Sequence, residues 1–132
     1  RHPTATRTAV VDFEAIDTED LPVTPNTYLA IVTRGHQFDQ EILRWAIGTP
    51  ARYIGMIGSR RKILQTYRQL AAEGIDPSAF DRVQAPIGLD IQAVTAEEIG
   101  IAVAAELIAE RRRHRPRRSP RYWRRYCWRR YC

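Results

Sequence analysis

Apolar positions along the chain fall into two kinds of run, short and unbroken or longer and periodic. Tyr28-Leu-Ala-Ile-Val-Thr33 and Tyr53-Ile-Gly-Met-Ile57 are of the first kind. Each is bracketed by turn residues, the pattern of strands covered on both faces. Thr8–Phe13 is a shorter β-branched run and a third strand candidate. Asp17–Asn26, with two prolines and three acids, reads as a connection. Arg34-Gly35-His36 predicts a sharp turn, and Asp39–Ile47 a helix that turns Ile42, Leu43, Ala46 and Ile47 inward. Gly48 and Pro50 end it.

After Gly58, Ser59 is the expected N-cap of a second helix, whose stripe is Ile63, Leu64, Tyr67, Leu70 and Ala71. Gly74 is its stop, followed by the apolar Ile75. Asp76-Pro77 opens a short helical turn. Arg82–Ile91 is irregular, with a short strand expected before Pro86. Thr95 and Glu98 form a capping box. The helix it opens carries Ile99, Ala102, Val103, Ala105, Leu107 and Ile108 and is predicted to end near Arg111. Strands alternating with helices of about 10–15 residues predict an α/β architecture, three-layered and Rossmann-like, with a mainly parallel sheet. Its connections are expected to be right-handed crossovers.

Charge divides the chain in two. Residues 1–110 hold ten Lys and Arg against all fifteen acids, whereas residues 111–132 hold eleven Arg and no acid. The overall charge of +6 therefore belongs to a tail on an acidic body. The expected domain is 1–110, and 111–132 is an Arg- and aromatic-rich tail expected to be disordered. Its doubled Trp-Arg-Arg-Tyr-Cys pentamer has the chemistry of nucleic-acid binding. Without a fold around it, that reading is secondary. Both cysteines, Cys127 and Cys132, lie in the tail, so the body has no disulfide or thiolate metal site, as suits a cytoplasmic protein. No run approaches the roughly 18 apolar residues of a membrane span. The chain begins without Met, which is expected of a fragment.

Three polar clusters fall at strand or loop ends. Thr33, Arg34, Gly35, His36 and Asp39 follow the first strong strand, where open α/β sheets place ligands. His36 is placed to bind phosphate or to act as acid or base; capping the next helix, or plain exposure, is the alternative. Asp39 reads first as a helix N-terminal residue. The second cluster, Gly58-Ser59-Arg60-Arg61-Lys62, puts three cations on the first turn of a helix. Such a turn already offers backbone N–H groups and a positive dipole end, so an anion is the expected guest. The third is Pro86–Asp90 with Glu97 and Glu98. Asp90 there is either a ligand for a metal or hydroxyl, or a turn residue bonding its own backbone. Neither a P-loop nor a Gly-x-Gly-x-x-Gly turn is present, and no residue spacing makes a metal site or a catalytic triad.

Taken together, Thr33-Arg-Gly-His36 with Asp39, Tyr53–Lys62, Arg82-Val with Pro86–Ile91, Thr95 with Glu97-Glu98-Ile99, and Ala104-Ala105-Glu106 resemble a known family. It is the XdhC/CoxI family of xanthine dehydrogenase accessory proteins, in its C-terminal Rossmann-like domain, from about Thr8 to Ile108. The resemblance implies a bacterial, cytoplasmic maturation factor, a chaperone rather than an enzyme. Such a factor binds molybdenum cofactor (molybdopterin) and helps insert the sulfurated form into a xanthine dehydrogenase-type molybdoenzyme. A cysteine desulfurase is an implied partner, and a homo-oligomer is expected. The family's first βαβ unit, with its Gly-x-Gly-His turn, has no counterpart in this sequence, so a partial domain with an open sheet edge is expected. That gap weighs against the alternative of an NAD(P)-binding oxidoreductase fragment. Gln92 stands where the family has Gly, and Ala96 where it has Pro. The expected cofactor-binding set is Thr33, Arg34, Gly35, His36, Gly58, Ser59, Arg60, Arg61, Lys62 and Asp90.

Overall fold

The computed structural model describes residues 5–6, 9–10, 21–33 and 36–113, without the side chains of 36 and 37. The expected strand at Thr8–Phe13, the start of the 17–26 connection, Arg34, Gly35 and the tail beyond 113 lie mostly or wholly outside the described residues.

Element order is β1 (Tyr28–Ile31), α1 (His36–Ile47), β2 (Tyr53–Met56), α2 (Arg60–Ala72), a 3-10 helix (Pro77–Arg82), β3 (Val83–Gln84) and α3 (Ala96–Arg112). The strands form one parallel sheet in the order β1-β2-β3, with Tyr28 beside Tyr53 and Ile54 beside Val83. This is an α/β layering of the partial Rossmann-like kind. Two boundaries differ from the sequence reading. β1 stops at Ile31, leaving Thr33 beyond the strand, and α1 begins at His36 rather than Asp39. The earlier start places Asp39 in the helix's first turn, where a carboxylate complements the dipole.

Alternation along β2 sends its side chains to two different layers. Ile54 and Met56 join Ile31, Leu43, Ala46, Ile63, Tyr67, Leu70, Phe80 and Val83 in the principal core, against α1 and α2. Tyr67 and Phe80 stack with ring centroids 4.3 Å apart. α2 closes as the sequence predicts. Ile75 N–H donates to Leu70 O (3.1 Å) and Gly74 N–H to Ala71 O (3.0 Å), a complete Schellman stop. Arg82 ties the α1–β2 loop down: Nη1 donates to Ile47 O and Thr49 O, and Nη2 donates to Ala51 O at 2.6 Å.

The opposite face of β2 is covered by the 85–91 segment and α3. Gly55 makes that cover possible. A Cβ there would lie 2.6 Å from Ile87 Cδ1 and 2.7 Å from Tyr53 Oη. Gly88 has φ +100, and a Cβ on it would meet the Ala102 backbone at 3.2 Å. Between these contacts sits Glu106, 5% exposed, whose Oε1 accepts from Tyr53 Oη and from Gly88 N–H (3.3 Å). One carboxylate thus fastens α3 to both strand and loop. The Thr95–Glu98 capping box is formed as expected. Gln92, where the resembled family has Gly, adopts φ 58, the left-handed conformation Gly takes without strain.

Candidate functional site

The site forms where β1 and β2 run out at their C-terminal ends. Ile57 N–H still donates to Ile31 O (3.0 Å), so the chains stay side by side up to the corner. Ser59 then caps α2: its Oγ accepts from Lys62 N–H at 3.3 Å, and its carbonyl accepts from Ile63 N–H at 3.0 Å. The earlier first-turn N–H groups lack intrahelical acceptors by construction. They face the mouth at the positive end of a 13-residue helix.

Thr33 from the turn after β1, Asp39 from α1 and Lys62 from α2 are brought together there. Thr33 Oγ1 donates to Asp39 Oδ1, and Lys62 Nζ pairs with Asp39 Oδ2. Asp39 is fully buried, while the Lys62 side chain is 19% exposed. Its stem folds back over Gly58, where a Cβ would sit 3.4 Å from Lys62 Cδ. A buried carboxylate without a partner is strongly unfavourable. Lys62 is the ion-pair partner of Asp39, so most of its charge is spent locally.

The three cations therefore take different directions. Lys62 turns inward. Arg61 is exposed and lies with Leu64, Gln65, Arg68 and Gln69 around a shallow hollow on α2's outer side. Arg60 is exposed at the helix's first residue, beside the cap. His36 opens α1 beside the same mouth. Asp90 is exposed on the loop before α3, and no described contact links it to Asp39 or Lys62. Arg34 and Gly35 lie outside the described residues.

Asp39 is the residue whose importance sequence reasoning understated. It shares the inward stripe of α1 with Leu43 and Ala46, at intervals of four and three. A carboxylate on a core-facing stripe calls for a cation from elsewhere, and that spacing was the available signal. Glu106 repeats the lesson on α3, where it lies four residues after the buried Ala102.

Residues 2–107 match the family model described as the XdhC Rossmann domain. The chain belongs to that family. It is 36% identical over 90 residues to the protein YqeB of Escherichia coli, covering 68% of this chain and 16% of that one. It is 35% identical over 89 residues to a probable xanthine dehydrogenase subunit of Bacillus subtilis, covering 67% of this chain and 25% of that one. A crystal structure of a xanthine dehydrogenase from Bacillus halodurans superposes with a TM-score of 0.63 at 33% identity, over 78% of this chain and 30% of that one. The chain thus spans a quarter or less of these curated relatives' length. The likeness carries the Rossmann-like fold and the family, and it relates the chain to proteins named for xanthine dehydrogenase.

Proposed function

We propose that this domain receives a phosphate-bearing molybdenum cofactor on behalf of a xanthine dehydrogenase-type molybdoenzyme, as a binding and transfer factor in the cytoplasm. The observation that carries the reading is the Ser59-capped N-terminus of α2, with Arg60 beside it, opening at the C-terminal ends of two parallel strands. Anions are bound at such places by oriented N–H groups and the helix dipole together. Membership of the XdhC Rossmann-domain family and the names of the relatives support the choice of cargo.

The residues present fit the phosphate of molybdopterin. The cap and first turn of α2 would hold its oxygens, and the exposed Arg60 and Arg61 on that turn would add positive charge. Lys62, bound to Asp39, would set the corner's shape more than its charge. Thr33 stands on the β1–α1 side of the corner. When bound, the cofactor supplies the molybdenum centre to the partner enzyme. The domain's own contribution is to orient it by its phosphate. Asp90 has no assigned role beside this corner.

Calorimetric titration with molybdopterin-type cofactor tests the reading. Changing Arg60 and Arg61 together to Ala is expected to weaken binding by about tenfold or more, since each hydrogen bond to a charged group contributes about 1.5–3 kcal/mol. Unchanged affinity in that double variant would remove the corner from the account.

A further inference from the structure

Lys62 belongs to the first turn of α2, the turn whose N–H groups face the mouth, yet its charge is turned away from it. Its backbone N–H reaches the Ser59 cap, and its stem crosses Gly58, where an added Cβ would lie 3.4 Å from Lys62 Cδ and 3.9 Å from Lys62 Cβ. A flexible four-carbon stem can carry its ammonium to either side of such a corner. Here Nζ goes inward, to Asp39 Oδ2.

The inward position is enforced by the carboxylate. Asp39 is fully buried, and its Oδ1 accepts from the Thr33 hydroxyl. Among the described residues no hydrogen bond reaches Oδ2, and Lys62 is the cation paired with it. Drawing Lys62 onto a ligand would leave that oxygen buried and unanswered, which is strongly unfavourable. Lys62 itself, 19% exposed, keeps contact with solvent.

We propose that Asp39 holds down the affinity of the corner for phosphate by withholding Lys62 from it. This rests on the reading of the corner as a phosphate site. A factor that hands its cargo on has to release it, and one more charge-assisted hydrogen bond would slow that release. Asp39 is thus a positioning residue: it acts through Lys62 and does not touch the ligand.

Amide NMR of the full chain, titrated with inorganic pyrophosphate and read at Gly58 and Ser59, is the test. Reading those two amides keeps the arginines beyond 113 out of the measurement. Asp39→Asn keeps the shape of the side chain and removes its charge. It is expected to tighten binding at the corner by about tenfold or more, as one hydrogen bond to a charged group would. Adding Lys62→Gln should return the affinity to the wild-type value. Unchanged or weaker binding in Asp39→Asn, with helical circular dichroism retained, would overturn the proposal. So would a gain that survives Lys62→Gln, since Asp39 would then act by its own charge and not through the lysine. A further readout needs no variant: the Lys62 ε-methylene signals of the wild-type chain should hold still while the two amides shift. Movement of those signals with the amides would show Lys62 already serving the ligand, and would overturn it as well. If neither wild type nor Asp39→Asn shows shifts at Gly58 and Ser59, the phosphate reading itself fails, and this inference with it.

Discussion

The two sides of β2 are closed by different chemistry. Toward α1 and α2 the seal is dry: Ile54 and Met56 meet Leu43, Ile63 and Leu70, each 1% exposed or less. One ion pair, Lys62 with Asp39, stands at its upper end. Toward α3 the seal is a close backbone approach at Gly55 and Gly88, with Glu106 as clasp. α3 there leaves Ile101 and Ile108 exposed. The first side is densely packed around Ile54 and Met56, and the mouth opens at its top. The second side holds its helix but leaves apolar surface for another contact.

That contrast predicts a ranking of substitutions. The largest effect belongs to Lys62→Met, which strands a buried carboxylate and should cost about 3–5 kcal/mol in chemical denaturation. Adding Asp39→Leu should restore most of it, since apolar replacements of buried pairs are often near neutral. A loss under about 1 kcal/mol in the single variant would mean Asp39 is not sealed as described. Gly55→Ala comes next. It crowds Ile87 and Tyr53 on the α3 side and is expected to destabilise by about 1–3 kcal/mol. Limited proteolysis of that variant should cut first in the 85–95 segment, because β2's other face is left intact. The smallest effect is a gain. Ala96→Pro occupies the first helical position of α3, after a Thr95 already at ψ 160. It should raise stability by about 0.4–1 kcal/mol by restricting the unfolded chain, read as a modest rise in melting temperature.

Local features were legible in the sequence, and long-range pairings were not. Ser59, the Thr95–Glu98 box and the Gly74 stop are bonds between residues three to five apart, so residue type and spacing name them. The strands at Tyr28 and Tyr53 showed themselves by unbroken apolar runs. Asp39–Lys62, Tyr53–Glu106 and the grip of Arg82 on the α1–β2 loop join residues far apart in the chain. Their partners are set by how layers stack, which no local pattern encodes. The three consecutive cations, which read as one cluster, separate because successive helix positions point about 100° apart. β3, only two residues long, was foreseen only as a short strand before Pro86.

The central claim is that the start of α2 receives a phosphate, and amide NMR during titration with inorganic pyrophosphate tests it most directly. Shifts concentrated at Gly58, Ser59, Arg60, Arg61 and Lys62, with α3 silent, are the predicted result. Shifts confined to the arginines beyond 113, with that corner unmoved, would contradict it.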